Sequence, residues 1–378
     1  MDFAWSQEQA AFRSSIREFL ATHLPADWES VAHGPGSEAQ TRFSREFCAK
    51  LAGAGLLVPH WPARWGGRGA DSWTAFILAE EMWAAGEPRG GQYMNVNWIG
   101  PILMRFGTTE QQERYIPSMG RGETLWCQGF SEPEAGSDLA SLRTRAERHG
   151  SSYRINGQKI WTSYAGAADT CFLLARTAPG KDGVTIFLVP MDKPGITVRD
   201  IPSIIGQGDI HEVFFDEVDI SESARLGGEG EGWSIVRAAL YMERTGIPRF
   251  ALALRMLDRA VALLRGVDGL DPDACAQAAR ARTACEAARL YSYRIVDQRH
   301  HGTPTGPEAS AARVATVSCE RLVAEFVVEH RPDALVGGDP MLLAHHQRAI
   351  VAGIASGAAE IQLDLVATQM LGLPREPR

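Results

Sequence analysis

The spacing of apolar positions changes twice along the chain. In the first zone, Phe12, Ile16, Phe19 and Leu20 recur at helical intervals behind Ser6 and Gln9, which have capping-box spacing. Pro25 predicts the end of that helix. A second amphipathic run over 44–56 weakens at Gly53 and Gly55. A loop rich in Pro and Gly follows (Pro59, Pro62, Gly66, Gly67, Gly69), and then a helix over 72–85 with Ser72 as N-cap. In the second zone the period drops towards two. Residues 171–175, 184–189 and 212–215 read as strands, and Asn156-Gly157 reads as a hairpin turn after Tyr153-Arg154-Ile155. In the third zone, Ala/Leu/Arg-rich helical stretches cover 233–265, 272–298, 308–329 and 341–371. Their short breaks predict an antiparallel four-helix bundle. The expected domains are therefore 1–120 (helical), 121–228 (β) and 229–378 (four-helix bundle), an α+β architecture.

Composition narrows the chemistry. Of the 378 residues, 45% are hydrophobic and 22% charged, the balance of a globular enzyme. A formal net charge of -8 supplies no basic stripe for nucleic acid. No run approaches a membrane span, and the N-terminal residues lack the pattern of a secretory signal. The six cysteines form no metal-ligand spacing and suit a reducing cytoplasm. Adjacent helix positions point about 100° apart, so His300-His301 and His345-His346 do not suggest a metal site either.

Two segments carry candidate chemistry. Trp126-Cys127-Gln128-Gly129-Phe130-Ser131-Glu132-Pro133-Glu134-Ala135-Gly136-Ser137-Asp138 runs from an apolar strand end into a turn rich in amide groups. Such a turn can hold a carbonyl-rich ring or a phosphate, although surface turns of this composition are common. Lys159-Ile160-Trp161-Thr162-Ser163 sets a large aromatic beside two hydroxyls, which suits a flat heteroaromatic ligand as well as a packed core.

Both segments, their spacing and their helical–β–helical context resemble the acyl-CoA dehydrogenases. The resemblance extends over nearly the whole chain, through Phe106-Gly107-Thr108-Thr109-Glu110-Gln111-Gln112, Gly230-Glu231-Gly232-Trp233 and the final Glu360-Ile361-Gln362 and Leu371-Gly372-Leu373-Pro374. It implies the fold of that family: an N-terminal helical domain, a middle β-barrel domain and a C-terminal four-helix bundle. It also implies FAD as cofactor and α,β-dehydrogenation of an acyl thioester carried by CoA or an acyl carrier protein. The setting would be lipid or secondary metabolism, and an electron-transfer flavoprotein would accept the electrons. By position in the motifs, Gln128, Phe130 and Ser131 would line the flavin ring. Trp161 would pack on it, Ser163 would bond its N5, and Ser137 would lie near the thioester.

The reaction needs a base, and a carboxylate in an apolar pocket is a stronger one than a solvated one. Most members of the family carry it near the C-terminus, where this chain has Ser356. A replacement lies upstream. Val236, Leu240, Ile247, Phe250 and Leu254 form one apolar stripe, and Glu243 falls on it. A minority branch, resembling isovaleryl-CoA and steroid side-chain dehydrogenases, places its base at this position. Glu243 is therefore the expected base and Arg244 a substrate contact. The alternatives are a buried Glu243 paired with a neighbouring arginine, and a solvated Arg244. Pro248 should kink the helix.

The half of the flavin site that one subunit lends to another departs from the family pattern. Arg265 is retained as a diphosphate contact, but an aromatic has become Asp268, Gln277 falls one residue late, and a threonine has become Ala358. Two assemblies fit: a homo-oligomer (dimer or tetramer) with altered FAD contacts, or one chain of a heteromer whose partner completes the site. A flavin-dependent oxidase or monooxygenase on the same fold is the alternative activity.

Overall fold

The computed structural model describes residues 5–33, 36–205, 210–244, 247–267, 271–355 and 357–374; the side chains at 33, 181, 241, 243, 244 and 267 also lie outside the description. The helices are, in order, α1 (Gln7–His23), α2 (Trp28–His33), α3 (Glu38–Gly53), α4 (Ser72–Ala84), α5 (Gln92–Met94), α6 (Gly100–Phe106), α7 (Thr109–Gly120), α8 (Gly232–Arg244), α9 (Arg249–Val267), α10 (Pro272–His300), α11 (Glu308–His330), α12 (Pro332–Leu335), α13 (Pro340–Val351) and α14 (Ala359–Leu365). The strands are β1 (Trp126–Gly129), β2 (Arg145–His149), β3 (Ser152–Ser163), β4 (Thr170–Arg176), β5 (Val184–Pro190), β6 (Ile196–Asp200), β7 (Ile210–Ser221) and β8 (Arg225–Leu226). The residues separate into two compact units: Met1–His33, Ala70–Pro88 and Arg244–Arg378 form one, and Gly34–Gly69 with Arg89–Glu243 form the other. No helix among the described residues is long and apolar enough to cross a membrane.

The first unit is helical. Its N-terminal helix carries the capping box expected from Ser6 and Gln9. The cap of α4 is Asp71 rather than Ser72: the Asp71 carboxylate accepts the Thr74 amide, which leaves Ser72 as the first helical residue. Helices α9, α10 and α11 pack on one another, and α4 packs on α9 and α10. Trp5, Trp73, Phe76, Phe250 and Tyr293 form an aromatic cluster between them. The buried carboxylates Glu80 and Glu81 are met by Arg13, and Glu80 also by the Tyr293 hydroxyl. Two long helices expected from periodicity are broken. The stretch 233–265 divides around Pro248, which cannot donate into a helical ladder, into α8, whose residues to Glu243 belong to the second unit, and α9 of the first. The stretch 341–371 divides into α13 and α14 at a turn where Gly353 takes φ 86° and Gly357 φ 92°.

The second unit is built on an eight-stranded sheet in the order β6-β7-β3-β2-β4-β5-β8, with β1 parallel to β4. Cys127, Tyr153, Ile155, Cys171, Leu173, Phe187, Val213 and Phe215 form its buried centre. Asn156-Gly157 is not the hairpin turn. The β2–β3 turn lies at Gly150, with φ 61°, while Asn156 and Gly157 sit inside β3 at a register shift against β7. The reason is local: the Asn156 side chain accepts the Glu217 amide at 2.9 Å, and Gly157 allows Thr144 to approach so closely that a Cβ would lie 2.5 Å from its hydroxyl.

A π-helical turn over Asn95–Ile99 joins α5 to α6. The Gly100 amide bonds back to Asn95, so the Val96 carbonyl is released; it accepts the Trp61 indole at 3.0 Å. Only glycine fits at 100, because a Cβ there would stand 2.4 Å from the Trp61 ring.

Candidate active site

The first half of the site grows out of β1. This short strand is held between β4 and the π-helical turn: the Trp126 amide donates to the Asn95 side chain, and Asn95 donates to the Thr124 carbonyl. Gln128 leaves β1 half-buried. Its Nε2 reaches the Met94 sulfur at 4.0 Å, and its Oε1 is buried without a partner. Phe130 is buried against Phe172. The chain then closes a tight turn in which Glu132 and Ala135 exchange both backbone hydrogen bonds, at 2.9 and 3.1 Å. Ser131 is half-buried at its base, and Ser137 is exposed on the segment that follows.

The second half lies on β3. Between Lys159 and Thr162 the pairing with β7 advances three residues on β3 and only two on β7. The extra residue forms a bulge, which turns one side chain out of the alternation. That side chain is Trp161, 59% exposed and held at φ 59°, a left-handed conformation that costs a bulky residue roughly 1–3 kcal/mol. Tyr164, three residues on, is left-handed as well, with φ 60°. Thr162 is buried with an unpartnered hydroxyl, and Ser163 is half-buried.

The halves are fastened together. The Ile160 amide donates to the Ser131 carbonyl at 2.9 Å. The Lys159 ammonium, fully buried, donates to the Phe130 carbonyl at 3.0 Å and to Glu132 at 2.8 Å. Glu132 also accepts the Arg143 and Thr144 amides. Burial, opposed by Glu132, brings Lys159 down to about 8. Burial would raise the Glu132 carboxyl, but Lys159 and its hydrogen-bond donors together hold it below the ordinary value.

The structure thus brings Gln128, Phe130, Ser131, Trp161 and Ser163 into one region of the second unit. A flat ring with a polar edge fits them: the open indole offers a stacking face, and the orphan Gln128 Oε1 and two half-buried hydroxyls offer polar contacts. In the helical unit, Arg265 is exposed in the last turn of α9. Gln277 donates to Asp273 at 2.9 Å, and Ala358 occupies the N-cap of α14 without a side-chain acceptor. The backbone of Glu243 and Arg244 closes α8. Their side chains, together with Asp268 and Ser356, lie outside the described residues. Sequence reasoning assigned no role to Lys159, Glu132 or Met94. Glu132 stands directly after Ser131 and Lys159 two residues before Trp161, but nothing in the spacing of either motif pairs them.

Three family models match in chain order: acyl-CoA dehydrogenase, N-terminal domain over residues 6–123, middle domain over 127–218, and C-terminal domain over 230–371. The acyl-CoA dehydrogenase IpdE1 of Mycobacterium tuberculosis is 33% identical over 388 residues, covering 98% of this chain and 100% of its own. The solved steroid ACAD Tcur3481-Tcur3483 superposes with a TM-score of 0.89 at 30% identity, covering 100% of both chains. The ChsE4-ChsE5 complex from M. tuberculosis does so with a TM-score of 0.87 at 26% identity, again covering 100% of both. The chain belongs to the acyl-CoA dehydrogenase family of flavoprotein oxidoreductases.

Proposed function

We propose that this chain carries out FAD-dependent α,β-dehydrogenation of an acyl thioester, with Glu243 as the base. The observation that carries the reading is Trp161, exposed in a strained backbone beside Ser131, Ser163 and the unpartnered Gln128 carbonyl. Those residues would hold the flavin ring, and Arg265 would serve the diphosphate of a flavin bound across an assembly. When bound, the flavin supplies a two-electron acceptor for the hydride that leaves the β-carbon.

Glu243 removes the proton from the α-carbon, and the electron pair of that C–H bond becomes the new double bond as hydride leaves the β-carbon. Its position supports the role. Counting back along α8, Ala239 is four residues away and Val236 seven, so all three share a face, and both apolar residues are buried. An apolar surrounding would strengthen a carboxylate as a base. Arg244 and Ser137 are the proposed substrate contacts, and an electron-transfer flavoprotein the proposed acceptor of the electrons.

Relatives whose names couple two chains, among them a steroid ACAD at 30% identity, support a bulky acyl group and a partner chain that completes the FAD site. The weakened lending half agrees, since Ala358 offers no side-chain hydroxyl. The base is tested by anaerobic α-hydrogen exchange of an acyl-CoA in D2O. Wild type exchanges, and Glu243→Gln slows exchange by about 10²–10⁴-fold while keeping its flavin. Unchanged exchange in Glu243→Gln removes Glu243 as the base.

A further inference from the structure

The Lys159–Glu132 pair has no assigned part in the chemistry, yet it is the most deeply buried ion pair described in the second unit, with side-chain exposures of 0% and 6%. Such pairs are seldom retained for stability alone, because desolving two charges offsets most of their attraction. What distinguishes this one is what it joins. Through Phe130 and Glu132 it grips the loop that presents Ser131. Through Arg143 and Thr144 it grips the chain entering β2. Lys159 itself is two residues before Trp161, on the strand that bulges. A left-handed tryptophan persists only where the surroundings over-determine it. Besides the pairing of β3 with β7, the restraints on its N-terminal side include this ammonium and the Ile160–Ser131 hydrogen bond, and these two lead to the same loop.

We propose that the Lys159–Glu132 ion pair is a positioning element that holds the Ser131 loop and the Trp161 bulge in one register, so that the two halves of the ring site form or are lost together. It acts through its neighbours and touches neither ring nor substrate. Charge-assisted hydrogen bonds are directional, so an apolar pair of equal volume would fill the space without fixing the register. The inference rests on reading this strand end as a flavin site.

The test is a double-mutant cycle on the purified assembly, with FAD as the probe and thermal unfolding of the FAD-free protein as a control. Removing both charges together (Lys159→Met with Glu132→Gln) avoids stranding one of them. The expected result is an unfolding midpoint within a few degrees of wild type and an FAD Kd raised about tenfold or more. In addition, Trp161→Phe should weaken FAD about fivefold in wild type but less than about twofold in the charge-free background. FAD binding within about threefold of wild type in the double variant, or the same Trp161→Phe penalty in both backgrounds, overturns the proposal. If the double variant does not fold, Glu132→Asp serves: it keeps the charge and shortens the reach. Weakened FAD binding at an unchanged midpoint supports positioning, and a lowered midpoint with unchanged FAD binding overturns it. Wild type that takes up no FAD in any assembly would instead sink the flavin reading.

Discussion

Replacing Trp161 by glycine separates stability from function, because the two should respond differently. The backbone at 161 has φ 59°, and glycine relieves a left-handed penalty of roughly 1–2 kcal/mol. Glycine also costs roughly 0.5–1 kcal/mol in unfolded-state entropy, and losing the buried remainder of the indole, about 85 Å², costs ~2 kcal/mol, so the flavin-free protein loses about 0.5–2 kcal/mol. That corresponds to an unfolding midpoint lowered by at most about 8 °C. The ligand side is larger. A buried tryptophan contributes roughly 150–250 Å². With 59% of Trp161 open, about 125 Å² is free to be covered by a stacked ring, worth ~3 kcal/mol at roughly 25 cal/mol per Å². The FAD Kd of Trp161→Gly should therefore rise on the order of a hundredfold. Fluorescence titration with FAD and calorimetry of the flavin-free protein measure the two quantities. A midpoint lowered by more than about 8 °C with FAD affinity intact would show that the indole serves the fold and refute the reasoning.

Two further outcomes follow from packing and burial. Gly100→Ala forces a Cβ to 2.4 Å from the Trp61 ring and should cost roughly 1–3 kcal/mol in denaturant unfolding, with a weakened π-turn. Burial holds His60 and His345 down to about 4, so below about 6.5 the unfolded chain takes up protons that the folded chain refuses. Stability should be flat above that pH and fall between about 6.5 and 4, by up to ~1.4 kcal/mol per pH unit for each histidine. His345→Gln should make the acid limb of a pH–stability curve shallower, and an unchanged limb would contradict the assignment.

The zones of the fold were legible because period and punctuation agree within them: the Ser6–Gln9 cap and the strands at 171–175 and 184–189 stand where the pattern puts them. Errors arose where tertiary contacts override a local signal. Asn156-Gly157 reads as a turn, but strand pairing on both sides carries it through β3 opposite an extra residue on β7. At Pro248 the expected kink is a full break between α8 and α9. The motif residues Gln128, Phe130, Ser131, Trp161 and Ser163 could be singled out from sequence as candidates, whereas the left-handed bulge at Trp161 and the ion pair behind it could not. Both depend on which strand residues face each other, and spacing within one strand does not encode that.

The account turns on a flavin reduced by an acyl thioester at this site. Its most direct measurement is the flavin absorbance of the FAD-loaded assembly, mixed anaerobically with a panel of acyl-CoAs that includes steroid side-chain thioesters. The account predicts bleaching by at least one thioester, with formation of its α,β-unsaturated product, and no bleaching by that thioester in Glu243→Gln. A loaded flavin that no thioester bleaches, or that Glu243→Gln bleaches as fast as wild type, would contradict it.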